Sequence, residues 1–280
     1  MNGIPWDKEA ENALMGVPFF VRGLARRKVE ERVRNNGGVS VRLSDFREAE
    51  AKFRGVAAGR TEGELSQMLP RENLPGVEMV IFEECHNELS GCPNVLIRTS
   101  EWKRAIEERF RERDFSERLR KRVRDDRILY HHKLRVSVSG CPNGCSRPQT
   151  ADIGVVGCVV PGVDAADCTS CGECAGACPD AAITVEGGPP EFDLAACQGC
   201  LACRNVCPNE CIRLSAPGAR LLVGGRLGRH PRFAAVAGEF ATPGELVAEV
   251  ESVVADYIER ARPGERLGDY AARRGTGVNS

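Results

Sequence analysis

The chain has 280 residues, is 42% hydrophobic and only 5% aromatic, and carries a formal net charge of −1. That length allows roughly two domains of ordinary size. The balanced charge sets up no overall field for nucleic acid or acidic lipid, and no stretch approaches the roughly 20 apolar residues of a membrane span.

From the N-terminus, MNGIPWDKEAENALMG lacks the basic start and apolar run of a secretory signal, so a reducing, cytoplasmic setting is expected. Residues 6–36 read as helices, with Leu14, Val17, Phe20, Val21 and Leu24 at helical spacing. Ser44 is placed to cap a short helix over SDFREAEAKF, and residues 55–76 read as a linker. Val77–Phe82 suggests a strand leading to Cys85, and Ser100 opens an amphipathic helix, with helical sequence continuing to about Arg124. The run 98–127 mixes basic and acidic residues and reads as a solvated helical face. His131 and His132 precede a strand and read as ordinary. Leu134, Val136 and Val138 alternate as in a half-buried strand that ends in the turn Gly-Cys-Pro-Asn-Gly-Cys. Further strands are expected at Ile153–Val156 and Arg220–Val223. After Thr242-Pro243 a long helix carries Leu246, Val247, Val250, Val253, Val254, Tyr257 and Ile258 as one core-packing stripe.

Twelve of the fourteen cysteines fall into sets of four. Eight form two copies of C-x2-C-x2-C-x3-C-P, at Cys168, Cys171, Cys174, Cys178 and at Cys197, Cys200, Cys203, Cys207. The copies lie in an internal repeat: Val163–Glu186 and Phe192–Ser215 align in register, with Asp164 matching Asp193 and Ile183 matching Ile212. Such a repeat predicts two half-sites related by a pseudo-two-fold axis. A C-x2-C-x2-C loop wraps three thiolates around one face of a cubane, and the fourth ligand must come from elsewhere. In two-cluster ferredoxins each fourth cysteine ligates the other cluster. The pattern therefore assigns Cys168, Cys171, Cys174 and Cys207 to one [4Fe-4S] cluster, and Cys197, Cys200, Cys203 and Cys178 to a second. Zinc held by four cysteines is the competing metal, but duplicated motifs that both end in proline point to iron–sulfur. Cys158 and Cys211 read as small core residues.

Cys85, Cys92, Cys141 and Cys145 form a looser third set. Around them, KLRVSVSGCPNGCSRPQTADIGVVG resembles the cluster-binding region of the siroheme sulfite and nitrite reductases. VGGRLGRHPR and GERLGDYAARRG are similar to the tail of the anaerobic sulfite reductase catalytic subunit, a family that also carries an inserted two-cluster ferredoxin. The resemblance covers about 77 to 275 and implies a third [4Fe-4S] cluster on these four cysteines, with Cys145 shared with a siroheme iron. It implies reduction of sulfite or nitrite, with the ferredoxin clusters bringing in electrons from a donor protein. Two departures stand out. Six residues separate Cys85 from Cys92 where the family commonly has five, and the half-domain that precedes the first pair in the family is replaced. Instead Trp6, Glu9-Ala10, Leu14, Val17-Pro18-Phe19-Phe20-Val21-Arg22 and Ala25-Arg26 resemble the small C-terminal domain of light-independent protochlorophyllide reductase.

Positive charge for siroheme and substrate must then come from elsewhere in this chain or from another. Within the matching motifs, Arg147 and Arg229 are candidates to contact the substrate anion or siroheme, and Arg135, Arg226 and Arg232 to hold siroheme carboxylates, a task that suits the guanidinium fork. Each competes with an ordinary surface arginine, and His230 with a structural turn. The expected architecture is α+β: a helical domain over 1–58, a sulfite reductase-like siroheme/4Fe-4S domain over 75–162 and 216–275, and a bacterial-type dicluster ferredoxin inserted over 163–215. Two functions remain open. One is a siroheme reductase of a small oxyanion, active as a homodimer or with a partner subunit. The other is a haem-free, three-cluster electron carrier serving a partner reductase.

Overall fold

The computed structural model describes residues 4–57 and 69–275, which divide into two compact units at Pro70. In the first unit the expected helical run is broken in two, α1 (Lys8–Met15) and α2 (Phe19–Asn35), because Gly16 ends one helix and Pro18 starts the next. A third helix, α3, spans Leu43–Ala57, so Ser44 lies inside it rather than capping it. Asp45 takes the capping role: its carboxylate accepts the Arg42 N–H at 2.9 Å. Ala10, Leu14, Val29, Val33, Val41 and Phe46 close the core. Leu14 and Val21 of the expected stripe are buried, and the Phe20 side chain lies outside the described residues. Trp6 sits at the edge of this core, donating its indole N–H to Glu30 at 3.0 Å beneath the Arg26 guanidinium.

The second unit carries, in chain order, β1 (Arg71–Glu72), β2 (Val80–Glu84), α4 (Asn87–Ser90), α5 (Thr99–Glu112), α6 (Phe115–Arg120), β3 (Arg127–Ile128), β4 (Leu134–Ser139) and β5 (Ile153–Cys158). Then come β6 (Pro161–Val163), α7 (Glu173–Gly176), β7 (Ile183–Thr184), β8 (Glu191–Phe192), α8 (Ala202–Val206) and β9 (Ile212–Leu214). The chain closes with β10 (Gly218–Val223), β11 (Ala235–Phe240), α9 (Pro243–Arg260) and α10 (Leu267–Arg274). Part of the expected linker is therefore structured: β1 pairs antiparallel with β3, while 58–68 lie outside the described residues.

A five-stranded sheet in the order β11-β10-β5-β4-β2 organises this unit. β2, β4 and β5 run parallel, and β10 and β11 run antiparallel beside them. Period-two alternation sends Leu134, Val136, Val138, Ile153, Val155, Leu221 and Val223 into one core with Trp102, Ile106, Phe110 and Phe115. The α9 stripe completes it: Leu246, Val247, Val250 and Val254 are buried, with Val253, Tyr257 and Ile258 packed beside them. Thr242 caps α9 in a reciprocal box with Glu245. No helix of the described residues is long and apolar enough to cross a membrane.

α10 is anchored through Glu265, whose carboxylate takes two bonds from Arg273 at 2.8 and 2.9 Å and one from the Arg262 N–H at 2.7 Å. The Arg273 fork, then the Arg262 N–H, hold this carboxyl down at about 2. Because the folded-state value lies below the unfolded one, the stabilisation is complete above the ordinary glutamate range and is lost as pH falls towards 2. Glu265→Gln is expected to cost about 1–2 kcal/mol at neutral pH, the screened worth of a half-open bidentate pair, and to flatten acid sensitivity. Urea midpoints for both proteins at neutral pH and near pH 3 check this; an equal loss at both would refute it.

Candidate metal centres

The parallel strands decide where the third cysteine set lies. β2 and β4 pair with Glu84 opposite Val138, so both strands deliver the residues that follow them to the same sheet edge. Cys85 follows β2 directly and Cys141 follows β4 after Gly140. The Cys85 N–H bonds the Val138 carbonyl at 3.0 Å, and the Gly140 N–H points at Cys85 Sγ at 3.2 Å. Cys92 is brought back by the one-turn helix α4, through its N–H to the Asn87 carbonyl at 3.2 Å. Asn87 is buried and also bonds the Ile97 carbonyl and Thr99. Burial pushes the Cys141 thiol up, and Cys92, Cys145 and Cys85 are close enough to push it further. Cys145 is exposed, whereas the other three are half-buried.

The loop carrying Cys141 and Cys145 is locked from below. Ser137 and Ser139 face away from the hydrophobic core and bond the buried Ser146 hydroxyl at 3.0 and 2.7 Å. Gly144 and Arg147 take left-handed backbone, at φ 60° and 59°. A strained non-glycine residue beside Cys145 is a mark of a functional turn.

Within the repeat the expected two-fold relation is visible bond by bond. β6 pairs with β9, and β7 with β8, so strands from both copies form each small ladder. The Asp164 N–H bonds the Cys211 carbonyl at 2.8 Å, and its counterpart Asp193 bonds the Ala182 carbonyl at 2.9 Å. Left-handed residues recur at matched positions: Ser170 and Gly199, Gly172 and Leu201, Ala181 and Glu210.

Two cavities follow from this. One, of about 390 Å³ including its open mouth, is lined by Cys178, Cys197, Cys200 and Cys203. The other, of about 340 Å³, is lined by Cys168, Cys171, Cys174 and Cys207. Each therefore gathers three cysteines from one motif and the fourth from the other. Among the described residues, no group of three or more His, Cys, Asp or Glu side chains is arranged to hold a single metal ion. Zinc at about 2.3 Å from each sulfur draws its ligands to one point; a four-iron cluster keeps its thiolates around a cavity. Backbone N–H groups point at the candidate ligand sulfurs from Ser170 to Cys168, Gly199 to Cys197 and Ala182 to Cys178, at 3.3–3.4 Å. Such bonds stabilise thiolate charge and tune cluster potentials. The residues present fit iron–sulfur clusters.

Cys158 is core, as expected, and burial pushes its thiol up to about 11. Cys211 is buried too, but it is more than core filling. It lines the second cavity, lies 3.3 Å from Cys207 Sγ, and is held protonated by burial and by hydrogen bonds with Cys207 and Cys168. Nothing in its spacing signalled this contact.

The arginines divide. Arg135 pairs with Glu83 at 2.7 Å, Arg226 with Asp269 at 2.5 Å, and Arg232 donates to the Gly268 carbonyl at 2.6 Å. These three fasten the sheet and the 224–232 loop. Arg147 and Arg229 are exposed and have no side-chain partner among the described residues. His230 is exposed, and its carbonyl accepts from Arg226. His132 binds the Leu129 N–H and stands beside Asp125, a local structural role.

Comparison with known proteins agrees with the cysteine pattern. Residues 85–277 match the nitrite and sulphite reductase 4Fe-4S domain, and 6–50 match the proto-chlorophyllide reductase 57 kD subunit. The coenzyme F420-dependent sulfite reductase of Methanocaldococcus jannaschii is 38% identical over 96 residues, which are 34% of this chain and 13% of that protein. A light-independent protochlorophyllide reductase subunit of Heliobacterium modesticaldum is 46% identical over 52 residues, 19% of this chain and 10% of that one. The chain thus spans a small fraction of the curated relatives it matches. Among solved structures, dissimilatory sulfite reductase I aligns with a TM-score of 0.48 at 20% identity, over 70% of this chain and 50% of that one. With its family domain covering more than half its length, this chain belongs to the nitrite and sulphite reductase 4Fe-4S domain family.

Proposed function

We propose that this chain is an iron–sulfur oxidoreductase of the sulfite- or nitrite-reducing type, with three [4Fe-4S] clusters and a siroheme reached through Cys145. The observation that carries it is the meeting of Cys85, Cys92, Cys141 and Cys145 at one sheet edge, with the exposed Cys145 outermost. When bound, these groups supply one-electron transfer and, at a siroheme iron, a seat for an oxyanion. The protein's part is to hold the thiolates. Ser137, Ser139 and Ser146 fix the ligand loop, and the Gly140 N–H steadies Cys85. Arg147 and Arg229 are the cations left to meet an anionic substrate or siroheme carboxylates.

On this reading residues 163–215 are an inserted two-cluster ferredoxin, residues 75–162 and 216–275 form the catalytic domain, and residues 1–58 are a separate helical domain. An electron-donor protein or reductase subunit feeds the clusters. A second copy or a paired subunit completes the positive cradle for the haem. Fourteen unpaired thiols suit a reducing, cytoplasmic setting. Iron and tetrapyrrole counts on anaerobically purified protein test the proposal. About twelve iron atoms are expected from three four-iron clusters, plus one with siroheme. Full cluster loading with no extractable siroheme would leave the other reading, a haem-free carrier for a partner reductase. One observation favours that alternative: Arg135, Arg226 and Arg232 are all engaged inside the fold.

A further inference from the structure

The two repeat sites are related by symmetry, yet they do not meet the sheet symmetrically. The Cys178/Cys197/Cys200/Cys203 cavity is lined on one side by Val159 and Pro161, from the chain that leaves β5. Gly199, at φ 68°, packs so closely that an added Cβ would stand 2.5 Å from the Val159 carbonyl oxygen and 2.9 Å from its nitrogen. Arg220 on β10 reaches out from the sheet to the same loop, bonding Gln198 at 2.9 Å and the Cys197 carbonyl at 3.4 Å. The Cys168/Cys171/Cys174/Cys207 cavity has only residues of 163–215 in its wall. Its loop is tied by Asn209, which bonds the Asp167 carbonyl and Thr169. That bracing stays within the repeat.

β5 also touches the sheet-edge site. An added Cβ on Gly157 would stand 2.8 Å from the Gly140 carbonyl carbon and 2.9 Å from Ile97. Gly140 is the residue that donates its N–H to Cys85 Sγ, just as Gly199 donates its own to Cys197 Sγ. Two glycines, each bonded to a candidate ligand sulfur, therefore press on one stretch of chain, at Gly157 in β5 and at Val159 just beyond it, two residues apart and roughly 7 Å along an extended chain.

Building on the function proposed above, we infer that the two repeat sites work in series and in a fixed order. The Cys178/Cys197/Cys200/Cys203 site is the inner one and passes single electrons to the sheet-edge site through Gly199, Val159, Gly157 and Gly140. The Cys168/Cys171/Cys174/Cys207 site is the outer one and takes electrons from a one-electron donor protein. In each transfer the donor site is oxidised by one electron and the next site is reduced by one. Gly199 and Arg220 are positioning residues, because they set the contact and ligate no cluster themselves.

The experiment compares Cys171→Ala, Cys200→Ala and Arg220→Ala with the wild-type protein, each counted for iron, fully reduced with dithionite and examined by electron paramagnetic resonance. The sheet-edge signal should remain magnetically broadened in C171A and lose that broadening in C200A. In rapid-freeze runs, R220A, which removes the tether without adding an atom to the loop, should keep its iron but slow reduction of the sheet-edge site by roughly tenfold or more, as misplacement of reacting centres does. Broadening lost in C171A and kept in C200A would overturn the order. If C200A fails to hold its other clusters, R220A decides alone, and wild-type coupling and rate in that variant would overturn the proposal. A wild-type iron count well below three clusters would instead count against the function proposed above, so the two failures are distinguishable.

Discussion

Stripping iron from the protein is expected to unfold residues 163–215 while the five-stranded sheet persists. The segment's own apolar core is small: Cys174, Ile183, Cys203 and Ile212 are its buried members, and two of these four are proposed ligands. Its strands are two or three residues long and its helices four or five. So little apolar area cannot offset the ordering of fifty-odd residues. Metal–thiolate bonds must supply the difference, and binding free energy is then folding free energy, about 10 kcal/mol by analogy with structural metal sites in small domains. The sheet differs, because Val136, Val138, Ile153, Val155, Leu221 and Leu246 are buried without help from any cysteine. Hydrogen exchange after anaerobic chelation checks the prediction. Protection should vanish across 163–215 and survive in β4, β5, β10 and α9. Uniform loss, or none, would refute it.

Legibility in the sequence followed the range of the interactions. Ligand motifs are local, so the C-x2-C-x2-C-x3-C-P copies predicted two sites that exchange their fourth cysteines, and each cavity is lined by three cysteines of one copy and the fourth of the other. Strand alternation at Leu134–Val138 and the stripe of α9 were equally plain, because each puts its apolar residues on one face, but β4 is not the half-buried strand expected: Ser137 and Ser139 on its other face are buried too, under the Cys141–Cys145 loop. β11 was missed: its residues Ala235–Phe240 are half-exposed and Ala/Gly-rich, with no alternation to read. α10 was missed as a helix because its run, LGDYAARR, is too short to show a period; Leu267 and Ala271 join the core, and Glu265, Asp269 and Asp256 add charged contacts. Charge roles were the least legible. Whether an arginine faces a ligand or a neighbouring carboxylate depends on which strands pair. β2 beside β4 turned Arg135 towards Glu83. Cys211 was read as core because spacing does not reveal which way a buried thiol points.

Gly157→Ala is the single-methyl change expected to do the greatest harm. The residue is buried in a central strand with parallel β4 on one side and antiparallel β10 on the other. The new Cβ would fall on the Gly140 carbonyl, which also accepts the Leu96 and Ile97 N–H groups at 3.0 and 3.3 Å. Backbone cannot swing aside as a side-chain tip can, so strands or the Cys141 loop must move, at a cost of about 3 kcal/mol. Gly162→Ala is the matched control. It has nothing within 4 Å of its added Cβ, and should stay within about 0.5 kcal/mol of wild type. Gly140 also steadies Cys85 Sγ, so the damage should appear at the sheet-edge site before the repeat sites. Denaturant midpoints and iron counts separate the outcomes: G157A should lose stability and about four iron atoms, the content of one cluster, while G162A keeps both. A G157A protein with wild-type midpoint and full iron would show that β5 does not support the Cys85–Cys141 site. A G157A protein that lost iron from the repeat first would mean that Gly140 is not the residue through which strand packing reaches the ligands.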